Sequence, residues 1–271
     1  LQVAGALSAP ALWESDAKGA EGVIPDDSVN FVSDSKAILI DTAMVFNSTD
    51  LAGFAVQMRG GEGWDGGSLL RSIDGGQTYN NLSAFTTQGA AAISNNTLAE
   101  SDGFVIERDT ELNVSVLSGE FSSITESQMM NGQHWCAYGA SGRWEVIRFT
   151  DATLNADESL TLSGFVRGAR GTEWATGLHA DGDLIVLLDG SNTQFITADI
   201  ERIGVTGNYK SVTFGQSALD VTGEDFTYRG LNLKPLSPVK PTGLRPDDDW
   251  LLTATSRSRY TGNFWVNGVQ P

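Results

Sequence analysis

Short apolar runs that alternate with glycine-rich turns recur along the chain, and this pattern constrains the fold more than any other feature. Residues 209–214 alternate between apolar and polar side chains, as a half-buried strand does. Residues 184–188 form a continuous apolar run bounded by Gly182 and Gly190, which suits a strand buried on both faces. The sequence therefore predicts an all-β fold with fewer than about one helical residue in ten.

The order of these runs predicts two β-sandwich or barrel-like domains and the opening strands of a third β domain. We expect an irregular lead-in over residues 1–36, a first β domain over 37–118 and a second over 119–232. Three prolines make residues 233–241 a stiff linker, after which residues 242–271 begin the third domain. The clearest strands are predicted at residues 37–41, 54–58, 68–72, 112–117, 144–149, 160–167, 184–188, 194–198 and 208–214.

Two local patterns refine this outline. Strict alternation over residues 160–167 places Phe165 and Arg167 on the face opposite Leu162. One helix is predicted within residues 123–132, because its first four residues fit a capping box and a glycine ends it.

Charge and cysteine content exclude several classes of protein. The net charge of −17 argues against nonspecific nucleic-acid binding and against electrostatic attachment to an anionic membrane. Cys136 is the single cysteine, so the fold must stand without an internal disulfide. No apolar run reaches the length of a membrane span, and no signal-peptide pattern opens the sequence. We expect the chain to be a piece of a longer protein.

Residues that could carry catalysis or bind metal are few and poorly placed. His134 and Cys136 lie on one short segment, whereas a thiol nucleophile needs a base from across a site. His179 has no second ligand at a zinc-binding spacing. Three acidic runs lack the calcium-loop pattern and are predicted to be solvated turns, at residues 26–27, 181–183 and 247–249. We therefore expect no enzymatic activity, no catalytic residue, no cofactor and no metal site.

Residues 72–79 fit the Asp-box hairpin, S-x-D-x-G-x-T followed by an aromatic residue. In this motif Asp74 is expected to close the turn by accepting backbone amides, Gly76 to supply the turn geometry, and Tyr79 to pack beneath. The motif stabilises a hairpin and carries no chemistry. Sialidases repeat it and add an arginine cluster and a Tyr–Glu pair, so a single copy gives only weak support to a glycan hydrolase.

The segment over residues 167–174 combines charged, aromatic and glycine residues at the end of a predicted strand. Its two glycines predict a turn. Arg167, Arg170, Glu173 and Trp174 are the candidate structural or interface residues in it. Two interpretations stay open: an ion pair that pins the loop, or a contact with another subunit.

Residues 144–149, 160–174 and 179–189 together resemble a segment of the large tail-tip, or hub, proteins of long-tailed bacteriophages and gene transfer agents. Those proteins carry an E-x-I-x-F strand, then L-S-x-L-L-R-G-R-R-G-T-E-W-A, then H-x-x-G-x-x-F-V-L-L-D. Here Phe165 and Val166 replace the paired leucines, and Ala169 replaces the first of two adjacent arginines. Further similar stretches lie at residues 41–79, 130–149, 209–215 and 233–239.

The resemblance implies a structural protein of the virion, made in the host cytoplasm and mounted at the tail tip. It implies a trimer that closes the tail tube, contacts with the distal tail protein and fibres, and a part in attachment to a host receptor or surface glycan. It also implies that the third domain is fibronectin-III-like.

A carbohydrate-binding module is the main alternative function. Trp13, Trp64 and Tyr260 are candidate glycan-stacking residues, because aromatic side chains in glycine-rich loops often serve this purpose; core packing is the competing role for each. A hub predicts an oligomer, whereas a sugar-binding module predicts a monomer whose tryptophan fluorescence responds to glycans.

Overall fold

The structure, a computed structural model, describes residues 33–43, 51–103, 105–188, 190–245 and 249–257. Of these residues 43% lie in strands and 8% in helices, which confirms the all-β prediction. The described part contains one short α-helix, α1 at Glu126–Met130, and sixteen strands. The strands are β1 Lys36–Ile40, β2 Gly53–Arg59, β3 Gly67–Ser72, β4 Asn80–Phe85, β5 Ala91–Ser94, β6 Ile106–Ser118, β7 Cys136–Gly139, β8 Glu145–Ile147, β9 Asp151–Leu154, β10 Leu160–Val166, β11 Leu184–Leu187, β12 Gln194–Thr197, β13 Thr206–Thr213, β14 Glu224–Thr227, β15 Val239–Leu244 and β16 Leu251–Thr255.

Seven antiparallel strands form a sheet that closes on itself. Their order is β8-β7-β11-β5-β6-β10-β9. β8 and β9 belong to one continuous stretch of chain, which pairs first with β7 and then, from Arg148 onward, with β10. At the junction Arg148 and Val166 exchange two backbone hydrogen bonds of 3.0 and 2.9 Å. The two ends of the sheet therefore meet, and the strands enclose a small barrel.

Apolar side chains fill the barrel interior, as they must in a barrel of this size. The strand residues alternate between inside and outside, and four residues from the segments between strands add to the inside: Ala90, Leu98, Phe121 and Phe149. The buried interior consists of Ala90, Ala92, Leu98, Leu112, Val114, Phe121, Cys136, Tyr138, Ile147, Phe149, Leu162, Phe165 and Ile185.

Two smaller sheets pack against the outer wall of the barrel in layers. β1, β2 and β12 form the middle layer, and β14, β13, β3 and β4 form the outer one. β2 is buried on both faces: Ala55 packs in one cluster with Val186 of the barrel. Phe54, Val56 and Met58 pack against residues of the outer sheet instead.

The predicted boundary between residues 118 and 119 is wrong, because strands from both sides of it share every layer. β5 and β6 complete the barrel with β7 to β11, β2 pairs with β12, and β3 pairs with β13. The described residues accordingly all belong to one compact unit. Local periodicity does not show which strands pair when they are distant in sequence. The sequence pattern therefore suggested a domain boundary that the sheets cross.

Helix α1 begins two residues later than the predicted capping box implies. Thr125 is its N-cap: the Thr125 hydroxyl accepts from the Gln128 backbone N–H at 3.2 Å, and the Gln128 side chain accepts from the Thr125 N–H at 2.9 Å. Ser123 instead accepts from the Ala152 N–H at 2.9 Å, which ties the loop to β9. Gly132, just beyond the helix, has a φ of 94°.

β15 and β16 pair as a two-stranded ribbon after the barrel and its flanking sheets. β15 starts at Val239, so the extended ribbon begins inside the predicted linker. Pro241 lies where the register shifts between Val239 and Thr242, a position that needs no N–H donor from it. Residues 258–271, which would continue the predicted third domain, lie outside the described residues.

Candidate functional site

A β-bulge in β10 moves Arg167 into the barrel. The pairing of β10 with β6 shifts between Ser163 and Phe165, where Gly164 has a φ of 70°. The inserted residue reverses the alternation, so Phe165 joins Leu162 in the barrel core. Arg167, two residues further on, is 1% exposed. The predicted placement of Phe165 and Arg167 opposite Leu162 is therefore wrong.

Charged side chains from neighbouring strands form a layer above the apolar core at this end of the barrel. Glu145 continues the interior row of Ile147, Arg167 that of Phe165, and Asp183 that of Ile185, each two residues away toward the same end of the barrel. The loop before β11 adds His179, and the β7–β8 turn adds Arg143. We call Arg143, Glu145, Arg167, His179 and Asp183 the ionic layer.

Arg167 and Glu145 form its centre. The Arg167 Nε lies 2.8 Å from Glu145 Oε1 and the Nη2 lies 2.9 Å from Oε2, and neither side chain is exposed to solvent. Arg167 also donates to the carbonyl oxygens of Ala99 at 3.2 Å and Thr176 at 3.1 Å. This two-pronged ion pair therefore ties two loops to the barrel.

His179 joins this pair to a second one. Its Nε2 lies 2.6 Å from Glu145 Oε2, its ring stacks on Tyr138 at a centroid distance of 3.8 Å, and its Nδ1 lies 3.5 Å from Asp183 Oδ2. Asp183 is held on its other side by both terminal nitrogens of Arg143 and by the Ala180 N–H at 2.9 Å. Asp183 is thus buried in an ion pair, and the predicted solvated turn at residues 181–183 is wrong for this residue.

The environment of Glu145 keeps its carboxylate ionised. Burial favours the neutral acid, but hydrogen bonds from His179 and Arg167 and the charge of Arg167 outweigh it, so the pKa of Glu145 lies below its ordinary value. A buried carboxylate that is ionised and fully hydrogen-bonded suits a structural ion pair better than proton transfer.

The centre of the layer offers no access to a substrate, because the side chains of Glu145, Arg167 and His179 are fully buried. Cys136 lies in the apolar core, where burial raises the pKa of its thiol. The ring of His134 packs on Phe149, with 4.7 Å between the ring centroids, and burial lowers the pKa of His134. Within the described ranges, no three metal-ligating side chains are grouped to hold an ion.

The described residues include no helix long and apolar enough to cross a membrane.

The Asp-box forms the hairpin between β3 and β4. Asp74 accepts from the backbone N–H groups of Gln77 at 3.0 Å and Thr78 at 2.9 Å. Hydrogen bonds from the Thr78 hydroxyl, the Thr78 backbone N–H and the Ser72 hydroxyl lower the pKa of Asp74. Gly76 has a φ of 89°. The Tyr79 hydroxyl donates to Asn208 on β13 at 2.6 Å. The hairpin is thereby anchored to the outer sheet.

The other candidates of the segment 167–174 do not join Arg167. Glu173 pairs with Arg257 at 2.7 Å, whereas Arg167 pairs with Glu145. Arg170 places its guanidinium 5.0 Å from the centre of the Trp135 ring. Trp174 is 49% exposed. The segment is therefore divided between a buried part, at Arg167, and a part that faces outward.

Of the three candidate glycan-stacking residues, Trp64 is described and is used internally. Its indole N–H donates to Ser35 at 2.7 Å, and its ring packs against the cluster between the middle and outer sheets. Trp13 and Tyr260 lie outside the described residues.

Sequence reasoning missed four residues of the ionic layer, Arg143, Glu145, His179 and Asp183. One signal was present: Glu145 has the same strand parity as the apolar residues Ile147 and Phe149, whereas Arg148, the other charge in the stretch 144–149, has the opposite parity. A charge on the inward side of a buried strand requires a partner. The partner could not be identified before the bulge at Gly164 was known.

Comparison with known proteins gives one partial match. A family model described as Rcc01698-like, C-terminal, matches residues 90–186, less than half of the 271-residue chain. The matched region contains the barrel strands from β5 to β11 and the whole ionic layer. No curated protein matches the chain significantly.

Proposed function

We propose that this chain is a structural component of the tail tip of a bacteriophage or phage-like particle. The motif order that resembles the tail-tip proteins runs through the same residues that build the barrel and the ionic layer. The Rcc01698-like family model matches residues 90–186 as one continuous region, which supports the view that the barrel and the ionic layer belong to a single domain.

The observation that carries the proposal is the burial of the shared motif. Glu145, Arg167 and His179 come from the three separate segments of the resemblance, and they meet in one ion-paired cluster closed to solvent. A motif retained for catalysis would present reactive groups to a cleft, whereas this one holds a barrel end together. Such a motif suits a protein whose work is assembly.

In this role the chain would act through contacts with other proteins. The proposed partners are further copies of itself, as a trimer around the tail axis, the distal tail protein and the fibres. Its net charge of −17 and the closed, ion-paired centre of the ionic layer suit a mounted scaffold that holds receptor-binding parts at the end of the tail.

Fractionation of purified particles tests the proposal. Particles are produced from cells that carry the gene, heads and tails are separated, and each fraction is analysed by mass spectrometry. We expect peptides of this chain in the tail fraction at a constant ratio to tail-tube protein. Peptides found only among unassembled proteins of the lysate would contradict the proposal.

A further inference from the structure

A cavity of about 460 Å³ lies beside the loop that follows β10. That volume is in the range of small-molecule sites. Its walls come from this loop, the β7–β8 turn and the segment after β14. The lining used in the argument below consists of Arg170, Trp174, Arg229, Lys234, Pro235 and Leu236.

The cavity is positively charged on a strongly acidic chain. Three of the chain's 17 Lys and Arg residues line it, although the net charge is −17. The side chains of Arg229 and Lys234 form no ion pair with any described residue. The nearby acid, Asp41, is 4% exposed, and its oxygens accept the backbone N–H groups of Arg229 at 2.6 Å and Leu231 at 3.1 Å. Asp41 is therefore buried in the cavity wall, where its carboxylate accepts backbone hydrogen bonds.

Close backbone packing fixes the walls. Arg229 Nη1 lies 2.9 Å from where a β-carbon of Gly142 would be, so the guanidinium rests against that backbone. A β-carbon at Gly171 would overlap Leu236, which shows how closely the loop approaches the opposite wall. Arg170 holds a left-handed backbone with a φ of 60°, a strained state for a non-glycine residue. A site whose walls are already held in place loses less entropy when a ligand binds.

We propose that this cavity binds a carboxylate-bearing sugar, such as a uronic acid unit of a polysaccharide. Arg229 and Lys234 would donate charge-assisted hydrogen bonds to the carboxylate. Trp174, 49% exposed at the rim, would offer its ring to the C–H face of the sugar, and Pro235 and Leu236 supply apolar contact. This inference goes beyond the proposed function, because the chemistry of the cavity does not depend on where the chain is mounted.

Isothermal titration of the full 271-residue chain with digalacturonate tests the site. We expect saturable binding that weakens as salt is added, because the charges involved are partly exposed. Neutral galactobiose should bind at least about tenfold more weakly, because it lacks the carboxylate. Inorganic phosphate and a hexaglutamate peptide serve as probes for a general anion site and for an acidic polypeptide.

Variants locate the binding. Arg229→Met, Lys234→Met and Trp174→Ala should each weaken digalacturonate binding about tenfold or more. Arg108→Met is the matched control, because Arg108 is an exposed arginine outside the cavity, and it should change nothing. Arg229 and Lys234 are exposed, so their variants should keep the melting temperature of the parent chain.

The proposal is overturned if digalacturonate gives no saturable heat, if galactobiose binds equally well, or if the cavity variants bind like the parent. Tighter binding of phosphate or of hexaglutamate would also overturn it, in favour of a general anion site or an acidic polypeptide. None of these outcomes depends on whether the chain occurs in a tail fraction, so this proposal and the proposed function fail separately.

Discussion

Arg167 carries a full charge inside a barrel whose other interior side chains are mostly apolar. The cost of removing a guanidinium from water is large, and the double contact with Glu145 offsets it together with two backbone carbonyls. Such a pair adds little to stability compared with apolar side chains of the same size. Once it is present, however, loss of either partner leaves the other charged and buried without its two-pronged partner.

We therefore expect Arg167→Ala to lower the free energy of unfolding by about 3–5 kcal/mol. Chemical denaturation followed by tryptophan fluorescence measures the change. The matched control is Arg108→Ala, which breaks an exposed pair with Glu126 and should cost less than about 1 kcal/mol. The double variant Arg167→Met with Glu145→Gln should be more stable than Arg167→Ala, because no unpaired charge remains. Equal losses for Arg167→Ala and Arg108→Ala would show that the buried pair is not structural.

Acid should weaken the ionic layer through Glu145. The folded pKa of this carboxyl lies below its ordinary value of 4.5, so its ionised form stabilises the fold fully above that pH. The contribution falls as the pH drops below about 4.5 and through the lower folded pKa.

Denaturation from pH 7 to pH 3 should therefore show a stability gap between the parent chain and Glu145→Gln that narrows below about pH 4.5. Comparison with the variant isolates this carboxyl from the other acids of the chain. A gap that stays constant or widens on acidification would contradict the assignment.

Strand β10 determines which side chains enter the barrel. Its first part follows the predicted alternation, and its bulge at Gly164 then reverses the faces. Thr150, which follows β8, occupies the space where a side chain at position 164 would lie. One glycine therefore permits both the close approach of the neighbouring strand and the inward turn of Arg167.

Gly164→Ala should lower the free energy of unfolding by about 2 kcal/mol or more, because the new methyl group overlaps Thr150 and the backbone has a φ of 70°. Gly190→Ala is the control, since nothing lies near that position and its φ is outside the left-handed region. It should change stability by less than about 0.5 kcal/mol. A Gly164→Ala protein as stable as the control would mean that β10 accommodates the bulge without glycine.

Local patterns in the sequence were enough to predict the strand content but not the assembly of the sheets. Alternation and turn residues predicted strands near β1, β2, β10, β11 and β13, because those signals lie within a few residues. The pairing of β5 with β11 and of β3 with β13 depends on contacts between residues far apart in sequence. Local patterns do not record such contacts, which is why the predicted boundary at residue 118 was wrong. For the same reason Arg167 could be selected as important while its partners Glu145 and His179 could not.

The proposed function also concerns the molecule as a whole, since a barrel closed by buried charges and flanked by two sheets suits a part that is mounted in an assembly. Cryo-electron microscopy of intact particles, with a label fused to this chain, tests that claim most directly. We predict label density at the tip of the tail, in three copies around its axis. Label on the capsid, or on no particle at all, would contradict it.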